Sequence, residues 1–391
     1  MSVKNIVILG GGFGGLRTAL TLERAIGKDP SYKIILIDQN TFQLYTASLY
    51  EVAVGELTHR GILLPFNQLL KGKKVEFINS RVTGIDPKRK VIRTVAGDNI
   101  PYEKVVFALG SDTEDFGIPG VAEHTIGLKS VTDAEKIRDK INRCSVLKKE
   151  PIRMVVGGGG FAGVELAGEL AGYSFCPLDI TIVEGTPRLL SGLPEKISSA
   201  VAKRLNFLGV KVQTSSFIAR VEPKEVILKS GRKLPFDIAI WTAGVRGSRF
   251  ADPQLFPLDK KKALVVDGYL RVKGYEDIFA IGDLAGTGVP WTAVKAEADG
   301  KLVAKNILAQ LKDKPMQKRE AFGIPFIVPV GKKWAVAKIG PFVFWGLLAA
   351  VLKNLVLLYY LAQIVDPLTA IKIWWKGESE LLGRTHETKH L

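Results

Sequence analysis

At 391 residues, the chain is long enough for two or three domains, each with its own hydrophobic core. Its net charge of +16, from 55 Lys and Arg against 39 Asp and Glu, favours an anionic partner surface. The sequence has no nucleic-acid-binding motif, so an anionic lipid surface is a better candidate than nucleic acid. A protein that is merely basic remains the alternative.

Cysteine usage excludes two other classes of protein. The two cysteines, Cys144 and Cys176, are not in C-x-x-C spacing, and no histidine cluster accompanies them. This excludes a disulfide framework and a metal site, and it fits a reducing compartment. We expect each cysteine to pack in a core. No secretory signal is expected, because the first strand begins at Asn5 and runs directly into a glycine-rich loop.

The first segment of the chain predicts a strand, a loop, a helix and a second strand. The strand Asn5 to Leu9 leads into GGGFGG at residues 10–15, a helix runs from Gly14 to Ile26, and the next strand ends in Asp38. Glycines permit a tight turn and close approach of the backbone to a pyrophosphate, and the helix N-terminus offers unpaired N–H groups. The carboxylate accepts from ribose hydroxyls. One such unit predicts a dinucleotide site.

Residues 39–70 hold an aromatic-rich stretch, and short alternating strands follow it. The last of them, KVVFALGS, ends in small residues, Ala108 to Ser111. We expect the backbone there to pass close to a cofactor.

A second complete unit begins at Ile152. A strand leads into GGGFAG at residues 158–163, and the strand ITIVE ends in Glu184. Two complete units are strong evidence for two dinucleotides, most simply a flavin and a nicotinamide nucleotide. Glu184 favours NADH over NADPH, because a 2′-phosphate would meet a carboxylate, and the nearby Arg188 keeps NADPH as an alternative.

The helix of the second unit carries two acids one turn apart. Glu165 and Glu169 share one helix face at i and i+4. We expect Glu165 to face the nicotinamide or the flavin edge, and a solvated helix face is the alternative.

After the second unit, the sequence predicts a return to the first domain. The Val266–Val272 hairpin and the buried strand Ile278 to Ile281 make the second unit an insertion. Asp283 is expected to accept from a ribityl hydroxyl, and an ordinary turn aspartate is the alternative. Ala293 and Ala296 let an N–H group approach a flat ring at a helix N-terminus, which would stabilise a reduced flavin. A plain helix start of small residues is the alternative.

The C-terminal segment predicts a membrane contact. Residues 322–340 read as a strand pair, and the run from Phe342 to Ala362 is long enough to cross a bilayer. Lys353 at its middle would cost about 2.5–3.5 kcal/mol on insertion, and Asp366-Pro367 breaks the run before a second apolar piece. We expect two short helices lying in the membrane interface. A true span, or burial in a core or homodimer interface, are the alternatives.

The missing cysteines also bear on the electron acceptor. Disulfide reductases with two nucleotide units need a redox cysteine pair beside the flavin, and no pair follows the first loop. Electrons must therefore leave to a diffusible or membrane acceptor. A quinone is lipid-soluble, so an enzyme that reduces it sits on the membrane, as the apolar tail predicts.

The sequence therefore predicts an α/β fold with two Rossmann-like dinucleotide-binding domains, the second inserted in the first, and a C-terminal membrane-associating helical segment. Residues 1–115 and 255–320 are expected to bind FAD, and residues 116–254 to bind NADH. Residues 321–391 are expected to form the strand pair and the membrane-anchoring helices.

These residues resemble the type II NADH dehydrogenases, single-subunit NADH:quinone oxidoreductases that do not pump protons. The resemblance covers most of the chain, and its most specific parts are the stretch from Leu44 to Leu57 and the tail. The matching segments are IVILGGGFGGL, NTFQLYTASLYEVAVGELT, PFNQLL, VVGGGGFAGVELAGEL, VEGTPRLL, WTAGV, IFAIGDLA and KKWAVAKIG.

The resemblance implies a tightly bound, non-covalent FAD, NADH as the exchangeable donor, a quinone acceptor, and a peripheral position on the cytoplasmic face of the membrane. No metal is expected. Glu165 and Lys295 are the expected catalytic residues, and Trp291, Val294 and Ala298 lie on the quinone side. The residues expected at FAD are Gly10, Gly12, Phe13, Gly14, Gly15, Asp38, Val82, Ala108, Gly110, Asp283, Ala293 and Ala296. Those expected at NADH are Gly158, Gly160, Phe161, Gly163, Glu184 and Gly244.

Two departures from the family pattern concern the acceptor. The quinone-side motif of the family reads A-Q-x-A-x-Q, and here Val294 and Ala298 replace both glutamines. A lysine that is frequent before the A-V of the tail strand is here Trp334. Two rivals follow. A sulfide:quinone oxidoreductase needs a cysteine from the C-terminal part, and none occurs after Cys176. The other is a redox-responsive protein that binds NADH and FAD with weak turnover.

Overall fold

The computed structural model describes residues 3–320, 323 and 325–375. The strands are β1 (Lys4–Leu9), β2 (Tyr32–Asp38), β3 (Phe42–Leu44), β4 (Leu63–Pro65), β5 (Val75–Asn79), β6 (Val82–Asp86), β7 (Val91–Thr94), β8 (Asn99–Pro101), β9 (Lys104–Phe107), β10 (Ser111–Thr113), β11 (Ile152–Gly157), β12 (Leu178–Val183), β13 (Lys211–Gln213), β14 (Ile218–Glu222), β15 (Glu225–Leu228), β16 (Lys233–Pro235), β17 (Ile238–Trp241), β18 (Val245–Gly247), β19 (Leu264–Val265), β20 (Ile278–Ala280), β21 (Ala285–Gly286), β22 (Phe326–Pro329), β23 (Ala335–Ile339) and β24 (Phe342–Gly346).

The α-helices are α1 (Phe13–Ile26), α2 (Leu49–Ala53), α3 (Phe66–Leu69), α4 (Val121–His124), α5 (Val131–Leu147), α6 (Phe161–Leu170), α7 (Glu195–Phe207), α8 (Ala293–Leu311) and α9 (Leu347–Ile364). Short 3₁₀ turns cover Thr46–Ser48, His59–Gly61 and Gly282–Leu284. A further helical stretch covers residues 367–375.

The chain forms two compact units. The first comprises Met1–Leu44, Leu63–Asp112 and Val245–Ile324. The second comprises Tyr45–Ile62, Thr113–Gly244 and Pro325–Leu391. The tail and the segment after β3 thus group with the second unit, while the nucleotide that each unit binds stays a prediction at this point.

A five-stranded parallel sheet forms the centre of the first unit, in the order β20–β9–β1–β2–β5. Its strands are nearly continuous apolar runs, as expected for parallel strands that are covered on both faces. Phe107 of β9 packs edge-on against Phe250 and Phe256 in the core beside this sheet. Because β20 pairs with β9, the chain returns to the first sheet after the second nucleotide segment, and the predicted insertion is confirmed.

The second unit is built on a four-stranded parallel sheet in the order β13–β12–β11–β17. Residue Val155 of β11, Val183 of β12 and Trp241 of β17 share one core cluster with the hairpin strands β14 and β15. The central strands of both sheets end at a glycine-rich loop, because β1 and β11 each lead directly into one.

The cysteines do not pack in a core, and that prediction is wrong. Cys144 and Cys176 are both free and only partly buried. Cys144 lies in the last turn of α5, and Cys176 lies in the connection from α6 to β12.

The tail begins with the predicted strand pair, β22 and β23, to which β24 adds a third strand that was not predicted. β22, β23 and β24 form an antiparallel sheet, and β24 uses the first residues of the apolar run. Gly346, at φ +102°, separates this strand from α9, so only Leu347–Ile364 is helical. By length and composition this helix could cross a membrane, and 22% of it is buried in the protein. The predicted tail beyond residue 375 lies outside the described residues.

Helix α9 has two different faces. Its apolar side chains at 347, 348, 351, 355, 356 and 359 are exposed along one stripe. Ala349, Tyr360 and Leu361 are buried on the other side. Lys353 points inward and pairs with Glu51 of α2, so its charge does not lie on the apolar stripe.

Candidate dinucleotide and acid sites

The first glycine-rich loop joins β1 to α1 in the first unit. Gly10 lies at φ +98°, and a Cβ on it would come 2.5 Å from the carbonyl oxygen of Ala108. A Cβ on Gly15 would come 1.8 Å from the carbonyl oxygen of Gly10. A Cβ on Gly12 would meet no atom of the described residues within 4 Å. The loop is therefore closed by its own backbone and open at Gly12, where a pyrophosphate can approach the N-terminus of α1.

The second loop, between β11 and α6, repeats this geometry. Gly158 lies at φ +107°, and a Cβ on it would come 2.4 Å from Cα of Ala243. A Cβ on Gly163 would come 2.0 Å from the carbonyl oxygen of Gly158. Around Gly160 the described part of the chain again leaves open space. Both loops thus fit the phosphates of a dinucleotide.

Each loop is held by the acid that the sequence analysis selected. Asp38 accepts a hydrogen bond at 2.6 Å from the N–H of Gly11. Glu184 accepts one at 2.6 Å from the N–H of Gly159. An ionised carboxylate has lone pairs for further donors, so each acid can hold its loop and still accept from a ribose.

The surroundings of the two acids differ. Burial raises the pKa of Asp38, against hydrogen bonds from the N–H groups of Asn40 and Gly11. Glu184 accepts a second bond from the N–H of Thr186 at 2.7 Å. The guanidinium of Arg188 donates to the carbonyl of Ser191 at 3.1 Å.

The residues expected at the flavin lie at one edge of the first sheet. Gly110 follows β9 at φ +67°, and Asp283 follows β20, the neighbouring strand. The hydroxyl of Ser111 donates to Asp283 at 2.7 Å, which ties the two strand ends together. Ala108 packs its carbonyl against the first loop. One sheet edge therefore carries the loop and the flavin candidates.

Helix α8 begins where the sequence predicted. Thr292 caps it, since its hydroxyl accepts from the N–H of Lys295 at 3.2 Å. A Cβ on Gly14 would come 2.9 Å from the carbonyl of Ala296, and one on Gly300 would come 2.5 Å from the carbonyl of Gly14. Glycines on both helices therefore permit α1 and α8 to pack backbone to backbone.

Lys295 is fully buried inside the first unit. Its ammonium donates to the carbonyl of Gly282 at 2.6 Å and pairs with Asp299 at 2.9 Å. Asp299 also pairs with Arg319 at 3.0 Å. Burial lowers the pKa of Lys295, against the opposing charge of Asp299. The lysine thus holds the turn that carries Asp283.

The two acids of α6 do not form a solvated helix face, so that alternative is wrong. Glu169 is 5% exposed and Glu165 is half-buried. Burial raises the pKa of Glu165 to about 8, with the charges of Glu51 and Glu169 adding to the effect and Lys353 opposing it. Burial also raises the pKa of Glu169 to about 8. Both carboxyls are therefore largely protonated at neutral pH.

The remaining candidates occupy varied positions. Phe13 and Phe161 are the first residues of α1 and α6, Val82 begins β6, and Gly244 packs against the ring of Phe116. Trp291 lies beneath the ammonium of Lys261, at 5.2 Å from its ring centre. Along α8, Ala293, Ala296 and Ala298 are half-buried and Val294 is exposed.

Sequence reasoning missed the side chains that shape the loops from outside. A Cβ on Gly11 would come 2.2 Å from the ring of Phe66, and one on Gly159 would come 2.4 Å from Cδ2 of Leu189. Both partners lie in segments that match the family pattern, PFNQLL and VEGTPRLL, but nothing in those segments indicates a contact with a glycine of the loops. The Glu51–Lys353 pair was missed for the same reason.

Three comparisons with known proteins agree with this geometry. A family model described as pyridine nucleotide-disulphide oxidoreductase matches residues 4–300. The chain is 30% identical over 365 residues to a type II NADH:quinone oxidoreductase of Haemophilus influenzae, with 81% of this chain and 82% of that protein covered. It is 31% identical over 331 residues to the protein of that name in Staphylococcus aureus, with 78% and 82% covered.

Two solved structures share the fold. NDH2 from Plasmodium falciparum in complex with NADH has a TM-score of 0.80 at 18% identity, covering 96% of this chain and 98% of its own. A sulfide:quinone oxidoreductase from the hyperthermophilic bacterium Aquifex aeolicus has a TM-score of 0.81 at 22% identity, covering 93% and 91%. These structures confirm the predicted α/β fold.

Proposed function

The chain belongs to the pyridine nucleotide-disulphide oxidoreductases, within the type II NADH:quinone oxidoreductases, and on that premise we propose that it is an FAD-dependent enzyme that oxidises NADH and reduces a membrane quinone without pumping protons. The observation that carries the proposal is the pair of glycine-rich loops at residues 10–15 and 158–163, which we call the glycine cradles. Each cradle is open at its third glycine, and each is held by a carboxylate.

The two cradles bind different nucleotides. Residues of the first loop and Asp38 hold the adenosine diphosphate part of FAD, and the strand end with Gly110 and Asp283 lines the flavin. Residues of the second loop and Glu184 hold NADH. FAD, when bound, accepts two electrons from a nicotinamide and passes them on.

Two buried groups are proposed to act in the reaction. Glu165 supplies a proton, because burial keeps its carboxyl protonated at neutral pH, as a general acid requires. Lys295 is a positioning residue, because its ammonium is bonded to Gly282 and fixes the turn of Asp283. Trp291, Val294 and Ala298 border the quinone side. An aliphatic and a methyl side chain there, in place of two glutamines, favour a quinone held by apolar contact.

The exposed stripe of α9 is proposed to rest in a lipid bilayer at the cytoplasmic face. Leu347 and Leu348 are each 64% exposed and Tyr359 is 70% exposed, so this stripe lacks a cover among the described residues. The net charge of +16 favours an anionic membrane over a second copy of the chain.

Anaerobic reduction of the bound flavin tests the donor and the acceptor together. We expect NADH to bleach the flavin absorbance, NADPH to do so poorly, sulfide not to do so, and added quinone to restore the colour. Bleaching by sulfide would favour the sulfide:quinone alternative. Bleaching by NADH without reoxidation by quinone would favour the redox-responsive binding protein.

Flotation with vesicles tests the membrane contact. We expect the full chain to float with anionic vesicles, less with neutral ones, and a variant lacking residues 341–391 to stay in solution. Flotation of that truncated protein would contradict the assignment. A full chain that does not float and sediments as a dimer would place the stripe in a homodimer interface.

A further inference from the structure

A buried cluster of charged groups joins the apolar helix α9 to the interior of the second unit. Lys353 of α9 pairs with Glu51 of α2, and both are largely buried, with side chains 21% and 13% exposed. The Lys353 ammonium also lies 5.4 Å from the ring centre of Tyr50. Glu165 and Glu169 of α6 complete the cluster, since each interacts electrostatically with Lys353 and Glu51.

The cluster holds more acid than base. Three carboxyls, of Glu51, Glu165 and Glu169, share the single ammonium of Lys353 within this part of the described structure. Tyr50 interacts electrostatically with all three carboxyls, and Glu56 and Lys332 act on Glu169. Glu56 and Lys332 pair with each other at 2.8 Å, nearer the solvent. Since Glu51 takes the ammonium, the two acids of α6 are left to hold protons.

Two atoms of the cluster are unsatisfied. Oε2 of Glu169 and the hydroxyl of Tyr50 are buried and make no hydrogen bond to any described residue. Buried polar atoms almost always have a partner in folded proteins. A carboxyl that carries its own proton needs less from its surroundings than a carboxylate, which fits a protonated Glu169.

The net reaction of the proposed function takes up one proton. NADH, a quinone and one proton give NAD⁺ and a quinol, so two electrons and the hydrogen from NADH need one further proton to complete the two hydroxyls. A group that delivers it must hold a proton at neutral pH and regain it from water afterwards. The cluster lies on the inner side of α9, whose outer side faces the proposed site of the lipid and its dissolved quinone.

We propose that the Glu51–Lys353 pair controls the transfer of this further proton to the quinone, acting through Glu165 and Glu169. It sets the charge around Glu165 and Glu169 so that these carboxyls stay protonated at neutral pH yet release a proton to the quinone oxygen. The inference rests on the proposed NADH:quinone function, and the ammonium comes from the membrane-facing helix itself. The two members of the pair act in opposite directions, because Lys353 favours ionised acids and Glu51 favours protonated ones.

The pH dependence of quinone reduction tests the proposal. Lys353→Met should shift the alkaline limit of kcat upward by about one pH unit, and Glu51→Gln should shift it downward by about one, since a neighbouring charge moves a pKa by one unit or more. Lys353→Arg should restore the original profile, and Lys333→Met, at an exposed lysine of the same unit, should leave it unchanged. A merely structural pair would lower activity without opposite shifts, and that result would overturn the proposal.

Infrared titration of the full-length protein provides a readout that does not depend on activity. We expect a carboxyl C=O band at pH 7 that disappears around pH 8, is absent from a Glu165→Gln/Glu169→Gln variant, and moves in opposite directions in Lys353→Met and Glu51→Gln. Absence of the band, or equal shifts in both variants, would overturn the proposal even where a variant is poorly active. If the titration behaves as expected and quinone is never reduced, the proposed function fails while the role of the pair in setting the two acids stands.

Discussion

The two glycine cradles are alike in their backbones and different in the helices that follow them. Helix α1 packs against α8 through Gly14 and Gly300, where backbone meets backbone. Helix α6 packs against the tail through Gly168, whose Cβ would come 2.8 Å from Cα of Val330. It also carries the half-buried Glu165 and the buried Glu169.

This difference shows that a phosphate-binding loop does not determine what the helix after it packs against or which side chains that helix carries. The same turn recurs, each time with a carboxylate at the end of the next strand, because pyrophosphate and ribose are the same in both nucleotides. The first helix is closed against its own unit, as suits a cofactor that stays bound. The second helix carries the two acids that we propose as proton donors, on the side of the proposed membrane contact.

The largest expected effect comes from breaking each cradle in turn. Gly15→Val and Gly163→Val would place a Cβ within 2.0 Å of a carbonyl oxygen. We expect the first variant to be purified without flavin, and the second to be yellow but not bleached by NADH. Absorbance after purification and anaerobic NADH titration measure both. A Gly15→Val protein with full flavin would contradict the assignment of the first cradle.

The next effect tests how firmly α8 is held. Lys295→Met would leave the carbonyl of Gly282 without its donor and remove one partner of Asp299, at a cost of about 3–5 kcal/mol in the free energy of unfolding. Urea unfolding of flavin-free protein measures it. Lys312→Met, an exposed lysine after the same helix, should change stability by less than about 0.5 kcal/mol. Equal effects from both lysines would show that the buried contacts add nothing.

A gentler change separates nucleotide binding from folding. Gly12→Val and Gly160→Val meet open space, so the apoprotein should unfold at an unchanged urea concentration. Each added side chain blocks a phosphate from a backbone N–H, and a lost bond to a charged group costs about 1.5–3 kcal/mol, or roughly 10–150-fold in affinity. FAD affinity should fall for the first variant, and the KM for NADH should rise for the second. Unchanged affinities would mean that the phosphates lie elsewhere.

The smallest expected effect distinguishes the two acids. Glu184→Ala should raise the KM for NADH by about 10-fold, which corresponds to one lost hydrogen bond of about 1.4 kcal/mol. It should also reduce the preference of the enzyme for NADH over NADPH. FAD content should be unchanged, because Asp38 serves the other cradle. Asp179→Ala, which removes a surface charge of the same unit, is the control. Initial rates with both nucleotides give the answer, and an unchanged preference would exclude Glu184 as the ribose acceptor.

Local sequence patterns predicted those features that depend only on interactions between residues close in sequence. The loops, the helix starts at Phe13, Phe161 and Ala293, and the acids at strand ends follow from short-range backbone and capping rules. The tail shows where such rules end. Its apolar run reads as one continuous segment in the sequence. In the structure, Phe342–Gly346 instead forms a strand, because it hydrogen-bonds to β23, and hydropathy carries no information about such pairing.

The ion pair of Lys353 likewise could not be predicted from local sequence patterns. In the sequence it is a costly residue in an apolar helix, but in the structure Glu51 neutralises it, 302 residues away along the chain. No periodicity of either segment indicates this partner. The contacts of Phe66 with Gly11 and of Leu189 with Gly159 likewise depend on the folded chain, although both residues lie in segments that match the family pattern.

The sequence alone therefore determined the two nucleotide units, their order and the insertion of one in the other, because glycine and carboxylate spacing reflects a ligand that every such loop must hold. Only the tertiary structure decided which buried charges meet, because the pKa of an acid depends on burial and on neighbours brought together from distant segments. The pairing of Glu51 with Lys353 beside Glu165 and Glu169 belongs to this second kind.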